Sequence, residues 1–196
     1  TEFVAEPKID GLGVSLIYKN GILERALTRG DGFKGEDITH NVRTMLSVPL
    51  QLIESDNPPP PFIEIRGEIF MTISDFERLN KNRKKLNEKL FANARNAAAG
   101  SVRQLDPSIT ASRNLSIYCY EVGGSEKINF KNQMGMLSYL KSVGIPINPL
   151  SKKISNADDM IAFHDTLENN RSHINYEIDG SVIKVNDYMN KKYTIL

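Results

Sequence analysis

Residues 12–28 read LGVSLIYKNGILERALT: an apolar-rich run from Leu12 to Tyr18, a Lys19-Asn20-Gly21 turn, and a second run from Ile22 to Thr28. An Asn-Gly pair tolerates the positive φ values that a two-residue hairpin turn requires, so the two runs are predicted to be antiparallel strands. Upstream, Glu6-Pro7-Lys8-Ile9-Asp10-Gly11 leads into the hairpin. Downstream, Gly30-Asp31-Gly32 reads as a turn, and Glu36 to Leu46 as a short helix with Ile38, Val42, Met45 and Leu46 at helical spacing, closed by Pro49. The run Asn57 to Pro61 ends in four consecutive prolines and must be a surface connection.

Phe62 to Met71 alternates, with Ile63, Ile65, Ile69 and Met71 on one face and Glu64, Arg66 and Glu68 on the other, as a half-buried strand does. Ser74 and Glu77 form a capping-box pattern that opens a helix running to about Glu88, with Phe76, Leu79 and Leu86 as its buried stripe. Phe91 to Gln104 (FANARNAAAGSVRQ) reads as an Ala-rich helical turn whose small side chains permit close approach. Leu115 to Val122 is a predicted strand and Gln133 to Val143 a helix ended by Gly144 and Pro146. Ser155 to Glu168 is a helix with a Ser155/Asp158 cap, and Tyr176 to Val185 a last strand. Strands separated irregularly by helices, with one hairpin and no βαβ repeat, indicate an α+β fold and not a doubly wound sheet.

At 196 residues with 40% hydrophobic content, the chain can fill one core or two small ones. No stretch approaches the roughly 20 apolar residues that span a bilayer, and TEFVAEPKID lacks a signal peptide's basic start, so a soluble, intracellular protein is expected. One cysteine, Cys119, no CxxC pair and three histidines give no zinc-type spacing; Cys119 is expected in the core. A net charge of +1 argues against a free-standing basic nucleic-acid binder. The local cluster Lys81, Arg83, Lys84 and Lys85 is either a solvated helix face or a phosphate patch. The chain begins without methionine and stops at KKYTIL directly after a strand-like run, so a fragment of a longer protein is expected.

Several groups could carry chemistry. Lys8 between Glu6 and Asp10 is unremarkable by itself, and solvated ion pairs are a far commoner reading of such a triplet than catalysis. On the last strand, alternation puts Gly180, Val182 and Lys184 on one face, which suits a surface meeting a flat base and then a phosphate; taken alone, an edge strand with a bulge at Gly180 is the favoured reading. Glu64, Arg66 and Glu68 form either a binding face or the wet side of an amphipathic strand. Arg95 and Arg103 flank Ala97-Ala98-Ala99-Gly100 and could fork onto phosphates. Tyr118 and Tyr120 share a strand face and could stack on a base or fill a core.

In order along the chain, these stretches resemble the NAD-dependent DNA ligases of bacteria. The KxDG signature stands at Lys8-Ile9-Asp10-Gly11, with Glu6 at the family's preceding acidic position. TRGDGFKGEDITHNVRT from Thr28, EIRGEIFM from Glu64, FANARNAAAGSVRQLDP from Phe91, IYCYEVG from Ile117 and YEIDGSVIKVND from Tyr176 are similar to the family's motifs. The resemblance implies a nucleotidyltransferase fold, two antiparallel sheets with flanking helices around a nucleotide cleft. It also implies that Lys8 attacks the α-phosphate of NAD to form lysyl-AMP, that AMP passes to the 5′-phosphate of a nick in double-stranded DNA, and that the 3′-hydroxyl then seals it. By the same resemblance Glu6 recognises the adenine amino group, Tyr120 and Val182 sandwich the ring, and Glu68 binds ribose. Arg29, Arg95, Arg103, Arg171 and Lys184 line the ribose-phosphate and DNA side, and Asp10 and Asp179 support steps assisted by Mg2+ or Mn2+.

The chemistry is demanding because an attacking amine must be neutral, whereas a free lysine with a pKa of about 10.4 is protonated at neutral pH. Phosphoryl-type transfer otherwise needs positioning and charge stabilisation, which guanidinium groups and magnesium provide. The resemblance further implies a monomeric bacterial cytoplasmic enzyme. Residues 1–196 would be its adenylation domain without the preceding nicotinamide mononucleotide-binding domain and without the following motif, OB, zinc, helix-hairpin-helix and BRCT regions. Such a piece is expected to bind AMP-like ligands and to react with NAD slowly or not at all. An ATP-dependent nucleotidyltransferase and a non-catalytic nucleotide-binding or scaffolding module are the alternatives; TRGDG and NARNAAAGS resemble the NAD-using branch more closely.

Overall fold

The computed structural model of the chain describes residues 1–30, 35–54 and 58–191, leaving aside the side chains of residues 190 and 191. Seven strands, β1 (Phe3–Ile9), β2 (Leu12–Lys19), β3 (Ile22–Thr28), β4 (Phe62–Met71), β5 (Leu115–Ser125), β6 (Lys152–Ile154) and β7 (Ile178–Val185), form two sheets. One is three-stranded in the order β6-β1-β7 and the other four-stranded in the order β3-β2-β4-β5, and every pairing is antiparallel. The helices are α1 (Thr39–Val42), α2 (Ile73–Lys85), α3 (Ala94–Val102), α4 (Pro107–Ala111), α5 (Gln133–Ser142), α6 (Ala157–Asn169) and α7 (Tyr188–Lys191). The expected α+β class with two antiparallel sheets is what the chain forms.

The β2–β3 hairpin turns where the sequence places it: Asn20 has φ 47° and Gly21 φ 76°, both in the left-handed region that the turn needs. Alternation then buries Val14, Leu16 and Tyr18 from β2 and Ile63, Ile65, Ile69 and Met71 from β4 in one large core. Helix α3 presses Ala97, Ala98 and Val102 into the same core, its alanines permitting the approach. The three-stranded sheet has a smaller core, in which Phe163 and Leu167 of α6 meet Ala5, Ile154 and Ile178.

Several expectations are corrected. The helix from Glu36 to Leu46 shrinks to α1, because the backbone ahead of Thr39 is spent on β3: Thr28 N donates to the Glu36 carbonyl and Ile38 N to the Ala26 carbonyl, both at 2.9 Å. Leu46 is wholly exposed while Val48 is buried. The cap of α2 is Thr72, not Ser74; Thr72 Oγ1 accepts from Asp75 N and donates to the Asp75 carboxylate, two residues earlier than expected. Phe76 and Leu79 pack partly on the core, but Leu86 is exposed beyond the helix end. At α6 the box is Asn156 with Asp159, in place of Ser155 and Asp158. The last strand begins at Ile178, two residues after Tyr176. Asp31 and Gly32 of the expected turn, part of the TRGDGFKG stretch, and Asn57 of the proline run lie outside the described residues.

Strand β1, which no periodicity marks, is central in its sheet. Strand β6 covers only Phe3 to Ala5. At Pro7 one side of β1 is therefore an open edge, where a residue without an N–H is tolerated.

Candidate active site

Strand β1 carries Glu6 and Lys8 into a cleft of about 340 Å³ between the two sheets. Across from β1, the ladder with β7 slips: Lys8 pairs with Gly180 while Ile9 pairs with Ile178, leaving Asp179 as an extra residue. Gly180 takes φ 139°, which side-chain-bearing residues rarely adopt. The bulge turns Asp179 towards β1, and Lys8 Nζ donates to its Oδ2 at 3.0 Å. Beyond it, Val182 and Lys184 of β7 face the cleft. The bulge and the ligand-facing strand, weighed as alternatives from the sequence, coexist.

At the inner end, Glu6 is buried with its carboxylate spanned by two donors. Gln133 Nε2 reaches Oε1 at 2.8 Å and Lys184 Nζ reaches Oε2 at 3.0 Å. Lys184 Nζ also donates to the Tyr120 carbonyl at 3.1 Å and sits 5.1 Å from the centroid of the Tyr120 ring. Tyr120 is itself an extra residue: Arg66 pairs with Glu121 and Gly67 with Cys119. Desolvation pushes its phenol up to about 12, so the ring presents an uncharged face. Tyr118, by contrast, is held in an aromatic cluster, 5.2 Å from Phe70 and 5.8 Å from Tyr176 between ring centroids.

The third wall is Glu68 with Arg29. Burial raises the Glu68 carboxyl to about 7 against the opposing pull of Arg95, the Gly11 N–H and Arg29, with Asp10 adding repulsion. Gly11 is needed for this approach: a Cβ there would lie 2.3 Å from the Ile69 carbonyl oxygen and 2.9 Å from Glu68 Cγ. The Asp10-Gly11 step thus lets β2 start flush against β4. Asp10 does not line the cleft; it pairs with Arg95 Nη1 at 3.0 Å and ties the end of β1 to α3.

Of the residues singled out from the sequence, Glu6, Lys8, Arg29, Glu68, Arg95, Tyr118 and Tyr120 line the cleft, as do Asp179, Val182 and Lys184. Arg103 and Arg171 do not. Arg103 pairs with Glu36, and Arg171 with Glu177 at 3.3 Å. The basic run on α2 stays outside as well, with Arg83 paired to Glu88 and stacked 4.7 Å from the Phe91 ring centroid. Cys119 is buried core, its thiol pushed up to about 12 by desolvation. No sequence signal marks Gln133, which reads as an ordinary first residue of a helix capped by Asn132, nor Asn148 and Ser151 in the cleft wall. Among the described residues, no three His, Cys, Asp or Glu side chains stand as a metal-holding group, and no helix is long and apolar enough to cross a membrane.

The family described as NAD-dependent DNA ligase adenylation domain matches residues 1–194. The chain is 49% identical over 187 residues to a DNA ligase of Geotalea daltonii, with 95% of the chain and 28% of that protein covered. It is 47% identical over 187 residues to a DNA ligase of Syntrophobacter fumaroxidans, with 94% and 28% covered. A DNA ligase of Bartonella henselae is 48% identical over 188 residues, with 96% and 26% covered. The chain therefore spans about a quarter of the length of these relatives.

Proposed function

Because the chain belongs to the NAD-dependent DNA ligase adenylation domain family, we propose that its cleft takes the AMP half of NAD and that Lys8 carries the AMP as a covalent phosphoramidate. What supports this reading is the convergence of unlike groups in one cleft: an accessible amine at Lys8, the cations Arg29, Arg95 and Lys184, a buried carboxylate at Glu6 and the face of Tyr120. Adenine would stack between Tyr120 and Val182 with its amino group donating to Glu6, and Glu68 would accept from ribose hydroxyls. The base end and the amine lie two residues apart along β1, on the same side of the strand.

In the first step the Lys8 nitrogen attacks the α-phosphorus, an N–P bond forms, the P–O bond to nicotinamide mononucleotide breaks, and the amine sheds a proton. Asp179, at 3.0 Å from that nitrogen, is within proton-transfer reach. Arg29 and Arg95 would meet the charge that accumulates on phosphate oxygens. A 5′-phosphate oxygen at a nick then attacks the same phosphorus, the N–P bond breaks and Lys8 regains a proton; finally the 3′-hydroxyl displaces AMP. Magnesium, or manganese in its place, is held through one or two carboxylates plus substrate phosphates. Asp179, with Asp10 behind it, could offer such oxygens, and the ion would neutralise phosphate charge.

The relatives' length supports placing residues 1–196 as the adenylation domain of a longer ligase acting on nicked duplex DNA in replication and repair. In the bacterial cytoplasm it would work as a monomer, with the nicotinamide half of NAD and the DNA also gripped by other domains. Intact-mass measurement after incubation with NAD and magnesium tests both levels. The full-length ligase should gain one AMP and its Lys8→Ala variant none; labelling of the alanine variant would end the assignment of Lys8. Residues 1–196 alone should label slowly or not at all, and rapid complete labelling would refute the need for further domains.

A further inference from the structure

Gln133 has no exposed surface, yet its side chain is a polar amide. Burying such a group is unfavourable unless its donors and acceptor are met. Here they all are. Nε2 donates to Glu6 Oε1 at 2.8 Å and to the Tyr120 carbonyl at 2.9 Å, and Oε1 accepts from the Tyr188 hydroxyl at 2.8 Å. The backbone completes the anchorage, since Gln133 N donates to the Asn186 carbonyl at 2.8 Å, just past the end of β7. One side chain therefore joins β1, β5, α5 and α7 at the inner end of the cleft.

The direction of the amide is fixed by its neighbours. Turned over, Oε1 would face a carboxylate and a carbonyl, three acceptors without a proton among them, and Nε2 would face a phenol that already has one. Desolvation and the nearby Glu121 and Glu6 push the Tyr188 phenol up to about 12, so it stays a donor at neutral pH. Tyr188 thus holds the amide so that it donates to Glu6.

Glu6 has two donors, but they are not equivalent. Lys184 is a long, partly accessible cation on the cleft wall, and a bound phosphate would compete with Glu6 for it. Once it leaves, Gln133 is the donor that keeps Glu6 in place. We infer that Gln133, oriented by Tyr188, is a positioning residue that aims the Glu6 carboxylate at the base and so makes the cleft selective for a 6-aminopurine over a 6-oxopurine. A 6-amino group donates to the aimed carboxylate, whereas a 6-oxo group sets oxygen against oxygen. Sites built on buried polar groups reject the mispaired analogue strongly.

This rests on the reading that the cleft takes the AMP half of NAD, and the test separates the two. The full-length ligase and its Gln133→Leu and Tyr188→Phe variants would be compared for lysyl-AMP or lysyl-IMP formation. The substrates are NAD and nicotinamide hypoxanthine dinucleotide, the 6-oxo analogue, and the readout is the ratio of kcat/KM values. The native enzyme should prefer NAD by about 100-fold or more. In Gln133→Leu the ratio should fall at least about tenfold, chiefly through a higher KM for NAD, with Tyr188→Phe falling in the same direction by less. A residue that merely fills the core would lower both substrates alike, and a folded Gln133→Leu enzyme with an unchanged ratio overturns the inference. Should Gln133→Leu not fold, Tyr188→Phe decides on the same ratio. Failure of the native enzyme to react with NAD removes the underlying reading, and the inference with it.

Discussion

Glu68 offers a prediction in which stability and activity move in opposite directions. Its carboxyl is raised from an ordinary 4.5 to about 7, first by burial, with Asp10 adding to the effect and Arg95, Gly11 N–H and Arg29 opposing it. Because the folded state holds the proton more tightly, stability is fully present below about 4.5 and is lost as pH rises through about 7. The separation is about 2.5 pH units. At 1.36 kcal/mol each, it sets a ceiling of about 3.4 kcal/mol, which partial exposure and solvent screening reduce to about 1–2 kcal/mol. Glutamine has nearly the same shape, can still accept from the Gly11 N–H, and never ionises. Glu68→Gln should therefore match the native chain at pH 5 and exceed it at pH 8, by about 3–6 °C in Tm for a domain of this size. The same variant should form lysyl-AMP about tenfold more slowly or worse, since a charged acceptor for the ribose is gone. Thermal unfolding followed by circular dichroism at both pH values, with intact-mass kinetics, measures both effects. A variant no more stable than the native chain at pH 8, or equally shifted at both, refutes the reasoning.

Three further outcomes follow from the geometry. Gly11→Ala should cost about 1–3 kcal/mol, seen as a lower urea midpoint with unchanged slope, because its Cβ meets a strand carbonyl that cannot give way. Lys184→Met should bind adenosine about threefold more tightly, because the ammonium that shares Glu6 and overlies Tyr120 is gone. It should bind AMP about tenfold more weakly for want of a phosphate partner; calorimetry showing both ligands weakened alike would count against the exchange. Arg103→Ala and Arg171→Ala should leave AMP affinity within about twofold, whereas Arg95→Ala should weaken it about tenfold, because only Arg95 of the three reaches the cleft.

Where the sequence was legible, one physical signal dominated. The β2–β3 hairpin is written in Asn20-Gly21, and β4 in a period of two that buries Ile63, Ile65, Ile69 and Met71. Where two signals compete, the reading slips. Thr72 and Ser74 are both cap-forming residues ahead of an acidic one, and the choice falls to Thr72 because Ser74 is engaged by Asn175 on the other side of the chain. Phe70 stands on the face that alternation marks as wet, yet it is buried, because Tyr118 and Tyr176 cover it from elements distant in sequence. Strand β1 was invisible because Glu6-Pro7-Lys8 has neither alternation nor an uninterrupted apolar run; its neighbours make it a strand.

The site follows the same division, and bulges explain why. Tyr120 and Asp179 come from different sheets, yet each is the supernumerary residue of its ladder, one opposite Arg66 and Gly67, the other opposite Lys8 and Ile9. An extra residue breaks the strict in-and-out alternation, so its side chain can be aimed where a regular strand would not send it. From sequence, alternation placed Tyr118 and Tyr120 on one face with equal claims to a base. Both line the cleft, and their partners divide them: Tyr118 is held by Phe70 and Tyr176, whereas Tyr120 lies beside Lys184. Deleting Gly123, the extra residue of the neighbouring bulge in β5, separates the contributions of the two bulges. Without it Val122 still opposes Ile65 and Gly124 still opposes Glu64, so the register on both sides is kept and the bulge at Tyr120 is left as it stands. Retained AMP binding in a variant that keeps its far-ultraviolet spectrum is therefore the expected result, and lost affinity would mean that the bulge at Tyr120 does not aim the ring by itself.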